Sequence, residues 1–200
     1  MTDIVIKSEK FVREFLNQNL PEERCFHNID HAQDVVYAVQ EIGRPCSLSV
    51  DDLRIVSVAA WFHDTGYCYD FAGHEESSID IADGFLSSEN CSRPFIEKVQ
   101  ECIWATRMPQ YPDSLLEQVI CDADLYHFSK ANYDDYSRKL RKEWAAVDGR
   151  NYSDRDWSLT NLKFLTIHCY HTPYGKDVLT SRKQENIQKL RSSLFPGTTL

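Results

Sequence analysis

Two hundred residues at 42% hydrophobic content are enough for one domain with a substantial core. A formal charge of −9 and a pI near 5.2 leave no basic stripe to displace counterions, so a nucleic-acid polymer is not an expected partner. No run of about 18 apolar residues marks a membrane span. The seven cysteines are scattered without a C-x-x-C pair, and Met1-Thr2-Asp3-Ile4-Val5 is no basic-then-apolar leader, so a soluble cytoplasmic protein with reduced thiols is expected.

Apolar residues recur with a helical period nearly throughout, and strand-like alternation is missing over any useful length, so the expected class is all-α. The pattern predicts about nine helices, over 4–18, 30–43, 50–63, 75–88, 93–106, 113–127, 130–146, 153–171 and 179–194. Ser49, with Asp52 three residues on, reads as the cap of the third helix, and Asp113 after Pro112 as the start of the sixth. Pro45, Pro109, Pro112 and Pro173 fall in the gaps. With no repeat or long linker, 1–200 is expected to form a single helical bundle. Its candidate ligands lie in a core over about 20–130, and a C-terminal helical layer follows over about 130–200.

The second helix is introduced by Cys25-Phe26-His27-Asn28-Ile29-Asp30-His31. His31, Val35, Ala38, Val39 and Ile42 share one stripe, which turns His31 inward. A lone histidine there is ordinarily a satisfied core residue, but His27 lies four residues earlier, close enough to share the face. The third helix runs into Trp61-Phe62-His63-Asp64-Thr65-Gly66-Tyr67. An imidazole and a carboxylate at the end of a buried segment are costly unless paired, hydrogen-bonded or bound to metal.

Further along, His74-Glu75-Glu76 reads either as support for a site or as first-turn acids favoured by a helix dipole. In the sixth helix Leu116, Val119, Ile120 and Ala123 mark the buried face, and Asp122 and Asp124 flank it about 100° to either side. Periodicity leaves both open, as ligands or as solvated acids. Arg138-Lys139-Leu140-Arg141-Lys142 reads as a positive rim or, more ordinarily, a solvated face. His168 and His171, without a carboxylate partner, read as packing or interface residues.

Histidine, then adjacent His-Asp, then a distant aspartate, each on a different helix: in this the chain resembles the HD superfamily of metal-dependent phosphohydrolases. The resemblance puts His31, His63, Asp64 and an aspartate of the 122–124 cluster in the four ligand places. The run Phe26-His27-Asn28-Ile29-Asp30-His31-Ala32 is similar to the opening signature of the cyclic-nucleotide phosphodiesterase branch, which implies a metal role for His31 and a proton-donor role for His27. In that branch the last ligand belongs to an Ala-Asp-Leu triplet, so Ala123-Asp124-Leu125 favours Asp124 over Asp122. A group of similarly sized predicted HD phosphohydrolases resembles the chain further, at Trp61 to Tyr67, His74 to Ser78, Ala105-Thr106-Arg107, Asp122 to Leu125, Tyr133 to Tyr136 and Arg138 to Trp144. That group often carries a histidine just after the Ala-Thr-Lys/Arg element, where this chain has Met108-Pro109-Gln110. A complete dinuclear site is therefore not expected, although His74, Glu75 or Glu76 could compensate in part.

A divalent ion held by two imidazoles and two carboxylates retains positions for water and a phosphate oxygen, and Mn²⁺, Mg²⁺, Fe²⁺, Co²⁺ and Ni²⁺ all suit such a set. The reaction implied is hydrolysis of a phosphoester or phosphoanhydride of a nucleotide or other small phosphorylated metabolite by metal-activated water. His27 and Asp64 are the expected catalytic proton-transfer residues, Asp124 being the alternative to Asp64 as acceptor of the water's proton, and Asn28, His74 and Arg107 are the expected substrate contacts, the last for its rigid fork of donors. Two other classes stay open: a di-iron HD oxygenase, and a non-catalytic HD module that senses a nucleotide. No membrane partner is expected, and a homodimer is left open.

Overall fold

The computed structural model describes residues 3–196, and among them the chain is all-α. The helices are α1 (Asp3–Asn19), α2 (Ile29–Gly43), α3 (Val50–Phe62), α4 (His74–Ser88), α5 (Arg93–Ala105), α6 (Leu115–Asp124), α7 (Tyr133–Asp148), α8 (Asp154–Ile167) and α9 (Thr180–Leu194). Short 3₁₀ turns follow α3 (Thr65–Cys68) and α6 (Leu125–Ser129), and a π turn (Gly175–Leu179) leads into α9. The ends of the expected 1–200 span, residues 1–2 and 197–200, lie outside the described residues. Among the described residues no helix is long and apolar enough to cross a membrane.

The centre of the bundle is α3. From Ile55 to Phe62 it carries no charged side chain and every residue is buried, as a helix hydrophobic all round must be. Ser49 caps it as expected: its hydroxyl accepts from the Asp52 amide at 3.1 Å and donates to the Asp52 carboxylate at 2.7 Å. Around α3 pack α1, α2, α5 and α6, while α4 covers α5 and the 3₁₀ turn. Phe62, Ile42, Ile103 and Ile120 are wholly enclosed, each worth about 1.5–3 kcal/mol of burial. A smaller cluster of Phe128, Tyr133, Leu165 and Ile187 joins α7, α8 and α9.

Two helices end where the period does not predict. The sixth begins on Ser114, not Asp113, because the Ser114 hydroxyl accepts from the Glu117 amide, and it gives way after Asp124 to the 3₁₀ turn. The eighth stops at Ile167 instead of 171, since the chain beyond it is drawn onto a buried carboxylate. Asp122 Oδ1 accepts the His171 amide at 2.7 Å, and its Oδ2 accepts the Thr172 amide at 2.9 Å and hydroxyl at 2.7 Å. A Cβ at Gly175 would stand 2.3 Å from Asp122 Oδ2, so only glycine lets the backbone come this close. Asp122→Ala is expected to lower unfolding free energy by about 3 kcal/mol or more, because it leaves these donors unsatisfied. Urea denaturation measures that loss, and Mn²⁺ binding should survive it.

Candidate metal centre

Three helix ends bring the candidate ligands together. Asn28 caps α2, its Oδ1 accepting from the amides of Asp30 at 2.9 Å and His31 at 3.4 Å, which fixes His31 in the inward first turn. His63 caps the C-terminus of α3, wholly buried. Its Nδ1 lies 2.9 Å from the Ala60 carbonyl, which can only accept. The proton of a neutral His63 therefore sits on Nδ1, and the Nε2 lone pair faces the centre. Asp64 opens the 3₁₀ turn, and Gly66 lets that turn lie against α4: a Cβ there would meet the His74 carbonyl oxygen at 2.0 Å. Asp124 ends α6.

His31 Nε2 and His63 Nε2 are 3.3 Å apart. Asp64 Oδ2 stands 3.3 Å from the first and 3.2 Å from the second, and Asp124 Oδ1 stands 3.3 and 3.6 Å from them. His31, His63 and Asp124 each offer an atom within 4.8 Å of the other two, as ligands of one ion would. Asp64 Oδ2 is sealed from solvent and accepts no hydrogen bond among the described residues. Ring lone pairs turned toward each other and toward two carboxylates repel unless a cation stands between them. Without metal that cation is the proton. Burial alone would lower the His31 imidazole, but the Asp124 and Asp64 carboxylates outweigh it and hold the group at about 9. His63 is likewise driven well upward against burial, chiefly by Asp64. Asp64 and Asp124 are pulled below the carboxylate range by the same pairing, again against burial. Two imidazoles, two carboxylates and an orphaned buried oxygen fit a hard or borderline divalent ion.

The flanks are equally specific. His74 Nε2 lies 3.4 Å from Asp64 Oδ1, so the sequence candidate does reach the cluster, while its Nδ1 and Glu75 Oε2 are buried without partners among the described residues. Gln110 Nε2 donates to Asp124 Oδ2 at 3.3 Å. His27 pairs through Nδ1 with Glu143 Oε1, and Glu143 Oε2 accepts the amides of Phe26 at 2.8 Å and His27 at 3.1 Å. Tyr67 lies between His27 and His74, stacked on each with centroids 4.1 and 3.8 Å apart. His127 donates from Nδ1 to the Asp124 carbonyl, and burial, with the His31 charge, lowers it to about 3, leaving it neutral.

Sequence reasoning passed over Glu143 and Gln110. Glu143 directly follows the charged run 138–142 read as a rim or a solvated face, yet Tyr133, Tyr136, Leu140, Glu143 and Val147 keep the spacing of an inward stripe, and Glu143 is fully buried. That stripe was the available signal. Two expected substrate contacts are otherwise engaged. Arg107 is half exposed, 3.4 Å from Glu76 and stacked on Trp104. Asn28 lines a cleft of about 180 Å³ beside His31 with Phe26, Asp34, Tyr136 and Lys139, but its amide is committed to the helix cap and to the Cys25 carbonyl. His168 is packed against Phe128 and Tyr170, in keeping with a packing role.

No protein-family profile matches this chain, and no curated protein sequence does. Among solved structures it is similar to Bacillus subtilis YpgQ, determined in complex with ADP, with a TM-score of 0.67 and 17% identity over 96% of this chain and 98% of that one. At that identity the likeness is one of fold: the same all-α architecture along nearly the whole length.

Protonated His31 stabilises the metal-free fold fully below the ordinary histidine value of 6.5, and this is lost as pH rises through about 9; His63, raised in the same direction, acts with the same sign. Across that window the folded chain binds more protons than the unfolded one, so stability falls with rising pH. The melting temperature of chelator-treated protein is expected to drop between pH 6.5 and 9. Saturating Mn²⁺, which displaces those protons, should raise it more at the upper end. A flat profile, or an equal Mn²⁺ shift at both ends, would contradict this account.

Proposed function

We propose that this chain is a metal-dependent phosphohydrolase of the HD type, cleaving a phosphoester or phosphoanhydride of a nucleotide or similar small metabolite. The observation that carries the reading is the approach of Asp64 and Asp124 oxygens to within 3.6 Å of the His31 and His63 ring nitrogens, with a buried Asp64 oxygen that accepts no hydrogen bond among the described residues. Held there by these four side chains, a divalent ion would acidify water and offset charge on the phosphoryl group. Asp64 takes the proton of the attacking water as the new P–O bond forms. His27 donates its proton to the leaving oxygen as the old bond breaks, and the Glu143 carboxylate orients the ring. Water thus adds across the scissile bond with both protons accounted for.

The nucleotide assignment draws on the cleft beside His31. Phe26 and Tyr136 supply aromatic surface for a base, Lys139 a cation for an outer phosphate, and the similarly folded YpgQ was determined with ADP. The scattered thiols suit a reducing cytoplasm. The di-iron alternative loses ground at Gln110, which presents an amide donor to Asp124.

Turnover is expected on a panel of nucleoside mono-, di- and triphosphates assayed with Mn²⁺, Co²⁺, Ni²⁺, Fe²⁺ and Mg²⁺, read as phosphate or pyrophosphate release. His63→Ala and Asp64→Ala should each remove about 10³-fold or more of it, the scale of a lost metal and proton relay. Unchanged turnover in both variants would sink the hydrolytic reading. Glu143→Gln should lower kcat by about 10- to 100-fold while Mn²⁺ affinity, measured by calorimetry, stays within a few-fold.

A further inference from the structure

Tyr67 is only 8% exposed, yet its hydroxyl has no hydrogen-bond partner among the described residues. Nor is that oxygen among the sealed polar atoms, so it stays within reach of solvent, on a ring stacked against the His74 imidazole that neighbours Asp64. Buried tyrosines ordinarily satisfy their hydroxyl, and one left free at a reactive centre is available to a ligand. Its position is fixed from both faces. The ring is clamped between the His27 and His74 imidazoles, one tied to Glu143 and the other beside Asp64. It therefore cannot swing to find a protein acceptor. Burial, reinforced by the negative charge of Asp64, Glu143, Asp124 and Glu75, keeps the phenol protonated and so a donor. Those acids also disfavour an anionic ligand, which needs donors as well as a metal to be held.

We propose that the Tyr67 hydroxyl is a catalytic residue that donates a hydrogen bond to a non-bridging oxygen of the phosphoryl group at the metal centre. The assignment rests on the phosphohydrolase reading above and adds a contact to it. A rigid donor needs no reorganisation as charge grows on that oxygen, which is how a preorganised site favours a transition state over its ground state. No proton is transferred; the phenol stays a phenol throughout.

The test is Tyr67→Phe, which keeps both ring stacks and deletes one oxygen. Mn²⁺-loaded parent and variant are titrated with inorganic phosphate by calorimetry, after Mn²⁺ affinity and melting temperature have been measured for each. The expected result is phosphate binding weaker by about tenfold or more, the scale of a hydrogen bond to a charged group, with Mn²⁺ affinity within twofold. Tyr69→Phe, on the same turn but exposed, should bind phosphate as the parent does. A parent that binds phosphate and a Tyr67→Phe protein that binds it equally well would overturn the Tyr67 role alone. A parent that binds Mn²⁺ but no phosphate would overturn the phosphohydrolase reading and the Tyr67 contact with it.

Discussion

Two imidazole nitrogens 3.3 Å apart, each with an oxygen of Asp64 and one of Asp124 within 3.6 Å, form an arrangement that electrostatics disfavours unless positive charge stands among them. The helices aggravate the demand. Asp64 follows the C-terminus of α3 and Asp124 ends α6, so two negative macrodipole ends converge on carboxylates that are already anionic. His31, in contrast, occupies the first turn of α2, where the positive dipole end favours the neutral ring that a metal requires. The apolar packing of α2, α3 and α6 holds these ends together and pays for the repulsion.

The local part of this arrangement was readable from the chain. His31 falls on the stripe of Val35, Ala38, Val39 and Ile42, all of them buried, and His63-Asp64 ends a run with no charge in it. Both signals depend on residues within a turn or two of the ligand. Glu143 lies 116 positions from His27, and nothing near either residue announces the other. Gln110 reaches Asp124 from a loop whose path no periodicity describes. The resemblance marked that loop only by the histidine it lacks. The end of α8 was misjudged for the same reason, since Asp122, 49 residues away, decides where the helical hydrogen bonds stop.

Asp122 and Asp124 illustrate how two acids that look alike in sequence divide labour. A rotation of about 200° separates them around α6, so one faces the 171–172 backbone and the other the imidazoles. Asp122 meets three neutral donors at full hydrogen-bond count and has no need of a cation. Asp124 meets two ring nitrogens that can be protonated or metal-bound, and its second oxygen takes only the Gln110 amide at 3.3 Å. The difference lies in what each carboxylate still lacks. That of Asp122 is satisfied by the fold itself, whereas that of Asp124 is completed only by positive charge.

The C-terminal layer acts on the centre through α7 and not only by covering it. Glu143 fixes the His27 ring and binds the two amides that start the approach to α2, so one buried carboxylate positions both a side chain and the loop that carries it. Asp34, on α2, answers from the other side by accepting the Tyr136 hydroxyl at 2.6 Å and the Lys130 ammonium at 3.0 Å. The Tyr136 bond ties α7 to α2 beside the cleft next to His31, and the Lys130 bond ties the turn before α7 to the same carboxylate. One wall of the centre is thus the rigid His27, Tyr67 and His74 stack. The cleft beside His31 is lined by residues of α2 and α7, so the layer that supplies none of the candidate ligands borders the space next to them.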